Sequence, residues 1–212
     1  MTQENTSTGL GHSHPDLIKY PAPLQPDLLV MVDIESLALG PRPVVTQVCM
    51  LGYDIGEGAF LERQHNEFYP IDPQLEISPP RKITGSTIAW WMKQADEARA
   101  RFDFSVGTDF QDLVALCRGI IQTFNALTQD GKANYVICSK GPQFDIVALE
   151  TLLAEVGLEV PWAHDRVDDL RTLLRRAAIN PKWVTTPSGF IPHVAYWDAK
   201  WQVAQYLETL KG

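Results

Sequence analysis

The sequence predicts a single α/β domain built on a mixed sheet with helices packed against it, and three observations lead there. The first is an unbroken apolar run, Leu28 to Val32, that ends on Asp33. Such a run suits a strand buried on both faces. The second is a pair of β-rich stretches, Val44 to Tyr53 and Ala59 to Tyr69, with Gly56-Glu-Gly58 between them as a hairpin turn. The third is the succession of helical and strand segments after them. In Phe110 to Leu127, apolar residues at 110, 113, 114, 117, 120, 121, 124 and 127 form the stripe of an amphipathic helix. A hairpin beside a first strand, followed by α/β units, gives a mixed sheet with helices on it.

The remaining elements follow in order. Residues 1–26 read as a flexible arm and residues 27–212 as one domain. Within the arm, His12 and His14 read as solvated tail rather than metal ligands. Leu37-Ala-Leu-Gly-Pro-Arg-Pro43 is rich in turn formers and reads as a loop. Ile71 to Arg81 is proline-rich and irregular, and Thr84 to Arg101 has helical composition. Tyr135 to Cys138 is a short strand, and Ile146, Leu149, Leu153 and Val156 mark a helix that Gly157 stops. A short helix covers about Asp169 to Ala178, residues 180–192 form a Pro/Gly-rich loop, and a last helix runs from about Val194 to Leu210.

Composition limits the function classes. With 45% hydrophobic residues, the chain can bury an ordinary core. No apolar run reaches the roughly 18 residues of a membrane span. The start lacks the basic-then-apolar pattern of a signal peptide, and Cys49, Cys117 and Cys138 have no CxxC spacing. Buried thiols in the cytoplasm are therefore expected. The formal charge of -8 counts against a nucleic-acid partner, because phosphate binding normally draws on Lys and Arg. That objection weakens where the acids cluster around cations, which then neutralise phosphate themselves.

Such a cluster is legible. Asp33 and Glu35 end the first strand two residues apart, so both project from one face while Ile34 faces the other. Two adjacent carboxylates that lose hydration persist when a cation binds them, although a bare pair by itself reads first as a solvent-exposed one. Asp145 begins a helix just after a strand, where sites gather in α/β folds. A carboxylate that only complements the helix dipole looks the same. His193 and Asp198 lie five apart at the start of the last helix, and Pro192 leaves His193 in the loop, free to reach over a site that Asp198 approaches from the helix.

In combination, these motifs resemble the DEDDh branch of 3′–5′ exonucleases. The matching residues are Asp33-Ile-Glu35, Phe144-Asp145 and His193-Val-Ala-Tyr-Trp-Asp198. Trp90-Trp91-Met-Lys-Gln94 and Asp169-Leu-Arg-Thr172 are similar to segments of a phage and bacterial exoribonuclease-like subgroup, and the likeness spans about residues 28–210. Ser36 stands where the family commonly has Thr, and Ser139-Lys140-Gly141-Pro142 is a less typical run.

The resemblance implies a ribonuclease H-like mixed five-stranded sheet flanked by helices. It implies two Mg²⁺ or Mn²⁺ ions held by Asp33, Glu35, Asp145 and Asp198, hard oxygen ligands suited to such ions. His193 would be the general base, and the product a nucleoside 5′-monophosphate. Partners would be RNA or DNA 3′ ends, and a homodimer is expected by the same analogy. Ser36, Leu37 and Phe144 are the candidates to contact the terminal nucleotide. Trp90 or Trp91 is the candidate to stack on a base, but not both, since adjacent helical residues face different ways. Arg42, Arg81, Lys82, Lys93 and Arg99 are candidates for the strand's path, each with solvated surface as its default reading. Nothing in the sequence decides between ribose and deoxyribose. A non-catalytic module that binds nucleic-acid ends or another protein is the alternative from a different class.

Overall fold

The structure, a computed structural model, describes residues 25–68, 81–100 and 110–211. The expected arm lies outside these residues except at its end, and so does nearly all of the irregular Ile71 to Arg81 segment.

Five strands form one sheet: β1 (Leu28–Ser36), β2 (Val45–Asp54), β3 (Ala59–Phe68), β4 (Tyr135–Ser139) and β5 (Val167–Asp169). Their spatial order is β3-β2-β1-β4-β5. β1 pairs antiparallel with β2, and β2 with β3, as the hairpin reading requires. β1 pairs parallel with β4, and β4 with β5. The sheet is therefore mixed, as expected. The three-residue β5 was not separable by pattern from the helix that follows it.

Among the described residues, six α-helices flank the sheet: α1 (Gly85–Trp91), α2 (Asp96–Arg99), α3 (Phe110–Thr128), α4 (Asp145–Glu155), α5 (Leu170–Arg176) and α6 (Ala195–Thr209). The single helical stretch expected over Thr84 to Arg101 is broken into α1 and α2, with Ala95 in an extended conformation between them. Helical composition is a weak prior over so short a span. Gly157 ends α4 with φ +71°, which a glycine adopts without steric penalty.

β1 organises the core because both of its faces are buried. Leu28, Val30, Val32 and Ile34 pack with α3 and α4, among Leu113, Ile120, Phe124, Leu149 and Leu153. Leu29 and Met31 pack on the opposite side with α5 and α6, among Leu170, Leu174, Ala199 and Val203. Each such fully buried aliphatic side chain contributes about 1.5–3 kcal/mol. β4 pairs with β1 only as far as Met31, so Asp33 and Glu35 extend past the end of the parallel pair. Cys49, Cys117 and Cys138 are buried and free. Among the described residues, no helix is long and apolar enough to cross a membrane.

Candidate active site

The alternation of β1 puts Asp33 and Glu35 on the face that carries Leu29 and Met31, the side of α6. Ile34 points into the other layer. α6 brings Asp198 to the same place, and α4 brings Asp145 there from the strand end. Glu35, His193 and Asp198 each offer a ligand atom within 4.8 Å of the others. Asp33 and Asp145 adjoin this trio without joining it, and both interact electrostatically with its members.

Burial and mutual repulsion dominate this cluster. Asp33 keeps some accessible surface, but the protein packed around its carboxylate removes most of its hydration. Its pKa is held well above the usual carboxylate range, first by burial and then by Glu35, Asp145 and Asp198. Glu35 is raised for the same reasons, burial first and then Asp198 and Asp145. Burial lifts Asp145 to about 7, against the pull of Ser139 and Arg171. It lifts Asp198 to about 6, against the pull of the His193 backbone and Lys140. Four carboxylates stripped of water by burial, two of them raised further by their neighbours, are unfavourable as bare anions. A hard divalent cation fits them, because the donors are carboxylate oxygens and one imidazole, with no thiol among them.

The start of α6 sets the histidine. His193 lies before the helix with φ +61°, a left-handed conformation uncommon outside glycine. Its backbone N–H donates to Asp198 Oδ2 at 2.7 Å, so the aspartate fixes the backbone that presents the imidazole. Gln47 on β2 holds the next turn, its Oε1 accepting from Ala195 N at 3.1 Å. The imidazole lies edge-to-face with Trp90, with ring centroids 4.6 Å apart. Burial lowers its pKa, so the ring is neutral at pH 7.

Beside the cluster is a cavity of about 440 Å³ lined by Ile34, Glu35, Ser36, Leu39, Ser86, Thr87, Trp90, Trp91 and Phe144. The two tryptophans divide as the geometry of adjacent helical residues requires. Trp91 is buried and donates from Nε1 to Ser36 O at 2.9 Å, whereas Trp90 is 41% exposed. Ser36 and Phe144 line the cavity. Leu37 does not: it sits in the core, with its N–H bonded to Val44 O and its carbonyl to Thr84 N. The exposed apolar side chain at that rim is Leu39.

The five candidate cations divide likewise. Arg81 Nε and Arg42 both pair with Glu155, at 2.8 and 2.6 Å, and Arg81 also donates to Pro43 O, so these two brace the loop after β1 rather than face a strand. Arg99 pairs with Asp96. Lys82 and Lys93 are exposed.

Sequence reasoning missed three groups around the acids. Gln202 Nε2 donates to Asp33 Oδ1 at 2.6 Å. Its position four residues after Asp198 on one helix face was the available signal. Lys140 Nζ donates to Gln205 Oε1 at 2.9 Å. Arg171 packs under Gly141, whose φ is +135° and whose missing Cβ would stand 3.1 Å from the guanidinium.

A family model described as a 3′–5′ exoribonuclease Rv2179c-like domain matches residues 29–210. Two solved structures are similar at low identity. One is the crystal structure of cell-death related nuclease 4 (CRN-4), 13% identical with a TM-score of 0.47; the match covers 87% of this chain and 64% of that one, less than two thirds of its length. The other is the crystal structure of a full-length 3′-exonuclease, 12% identical with a TM-score of 0.48, covering 88% of this chain and 82% of that one. No protein with a curated description matches the sequence.

Proposed function

The chain belongs to the Rv2179c-like family of 3′–5′ exoribonuclease domains, and from that premise we propose that it is a metal-dependent 3′–5′ exonuclease acting on RNA or on single-stranded or overhanging nucleic acid. The observation that carries this reading is the convergence of Asp33, Glu35, Asp145 and Asp198 beside His193 at one strand end. In this reading residues 27–212 are one catalytic domain after an arm.

The four carboxylates would hold the metal, Mg²⁺ or Mn²⁺. Bound there, divalent cations supply charge neutralisation on phosphate and a more acidic attacking water. The protein's own groups do the rest. The cavity takes the terminal nucleoside, with Trp90 and Phe144 against the base and Ser36 at its polar edge. This seats the last phosphodiester over the acids. His193, neutral because burial lowers its pKa, accepts the proton of the attacking water at its unprotonated ring nitrogen. The water oxygen bonds to phosphorus, the bond to the 3′ oxygen of the preceding nucleotide breaks, that oxygen takes a proton from solvent, and His193 returns its proton to solvent. The products are a nucleoside 5′-monophosphate and a strand one residue shorter with a 3′ hydroxyl.

The test is a 5′-labelled RNA with a 3′ overhang and its DNA counterpart, incubated with Mg²⁺, Mn²⁺ or EDTA beside Asp33→Ala. A metal-dependent ladder that shortens from the 3′ end and is absent in the variant is expected, and its relative rates rank RNA against DNA. Equal turnover by a folded Asp33→Ala protein would remove the assignment.

A further inference from the structure

The segment between β5 and His193 is basic within an acidic chain. From Leu170 to Pro192 it carries four basic residues, Arg171, Arg175, Arg176 and Lys182, and no acidic one, in a protein with 18 basic and 26 acidic residues overall. All four are exposed. Arg171 and Arg175 are four residues apart on α5 and share a face. Because Arg171 packs under Gly141, this stripe begins at the turn that delivers Asp145.

The same segment holds a large apolar ring out in solvent. Trp183 is 80% exposed. It ends a 3-10 turn, Pro181–Trp183, that Asn180 caps through its side chain. Val184 then gives its carbonyl to Trp201 Nε1 at 3.0 Å. Trp201 follows Asp198 by three residues on α6, about 4.5 Å along the helix axis. The Lys140 ammonium lies 5.0 Å above the Trp201 ring. The basic stripe thus starts at Arg171 beside Asp145, the loop that carries Trp183 is tied through Val184 to a helix position one turn from Asp198, and none of these residues lines the Trp90 cavity.

Cations in a row with an exposed aromatic face fit a single nucleic-acid strand, since the cations meet phosphates and the ring stacks on an unpaired base. We infer that residues 170–192 hold the strand upstream of the scissile bond, with phosphates along Arg171 and Arg175 and a base on Trp183. The inference rests on the exonuclease reading and adds to it a second contact surface outside the terminal-nucleotide cavity.

Binding of a short fluorescent single-stranded RNA to the full chain in EDTA, read by anisotropy, tests the surface without turnover. Trp183→Ala should weaken binding on the order of 5- to 150-fold, the measured range for one stacked base. Arg175→Ala should reduce the salt slope of log K by about 0.7. In the metal-supplied assay, Trp183→Ala should raise KM on the same RNA, hold kcat, and leave a dinucleotide too short to reach the ring unaffected. Unchanged RNA binding in both variants overturns the inference. So does unchanged binding together with a shift from dimer to monomer in sedimentation, which assigns the ring to a second copy of the chain. A wild-type protein that yields no ladder yet loses RNA binding on Trp183→Ala refutes the exonuclease reading and keeps the surface.

Discussion

The carboxylate cluster and the aromatic cavity share Glu35 but are held together in opposite ways. Each acid in the cluster is stripped of water and pushed up in pKa by burial, Asp33 and Glu35 further by their neighbours, so the cluster opposes folding when its carboxylates are charged. The cavity opposes nothing. Its inner wall is core, with Trp91 buried and bonded to Ser36, and only its rim, at Trp90 and Leu39, meets solvent. The cluster is therefore sensitive to the chemistry of each side chain, and the cavity to shape. Substitutions in the two regions should fail in different measurements.

The largest effect is expected inside the cluster. His193→Ala should lower kcat by roughly 10²–10⁴-fold, the usual worth of a general base, with little change in melting temperature because the side chain is only partly buried. A loss below twofold would take His193 out of that role.

The cluster also sets a pH dependence. Asp145 and Asp198 titrate near about 7 and about 6 in the folded chain, against about 3.9 when unfolded. Between those values the folded state retains protons that the unfolded state releases, so its stability falls as pH rises. In EDTA the melting temperature should be highest near about pH 4, fall from there, and level off above about pH 7. Mg²⁺ at pH 8 should restore it, because a cation favours the ionised acids that protons otherwise neutralise. A metal-free protein that gains stability over that interval would contradict the repelling cluster.

The sequence revealed the two regions unequally. Asp33 and Glu35 could be read because strand alternation fixes the face of each residue once the strand is identified. The position of His193 before α6 could be read because Pro192 precedes it. Gln47 and Gln202 could not, since each acts across elements far apart in the chain, and a glutamine has no pattern that marks a partner 148 or 169 residues away. The fold was legible wherever a stripe or an alternation was long, as in β1 and α3. It was not legible at β5 or at the break between α1 and α2, where three or four residues carry too little periodicity. Leu37 was misplaced for a related reason: the loop after β1 turns inward at Leu37 and outward at Leu39, and loop side chains follow no period.

Trp90 and Trp91 give the sharpest form of the comparison, because they are neighbours on one short helix and belong to different regimes. Trp91→Ala removes a 4%-exposed ring and the hydrogen bond to Ser36. A loss of about 3–5 kcal/mol in unfolding free energy is expected from such a core truncation, visible in a denaturant titration. Trp90→Ala removes a ring that is 41% exposed and packs against His193. Its melting temperature should hardly move, while KM for RNA rises by about 5- to 150-fold, the worth of one stacked terminal base. The contact with His193 adds a second readout: if Trp90 also orients the imidazole, kcat falls along with the rise in KM, and if it only stacks, kcat stays. Destabilisation by Trp90→Ala on the scale of Trp91→Ala would mean that both rings are core and that the cavity has no aromatic wall of its own.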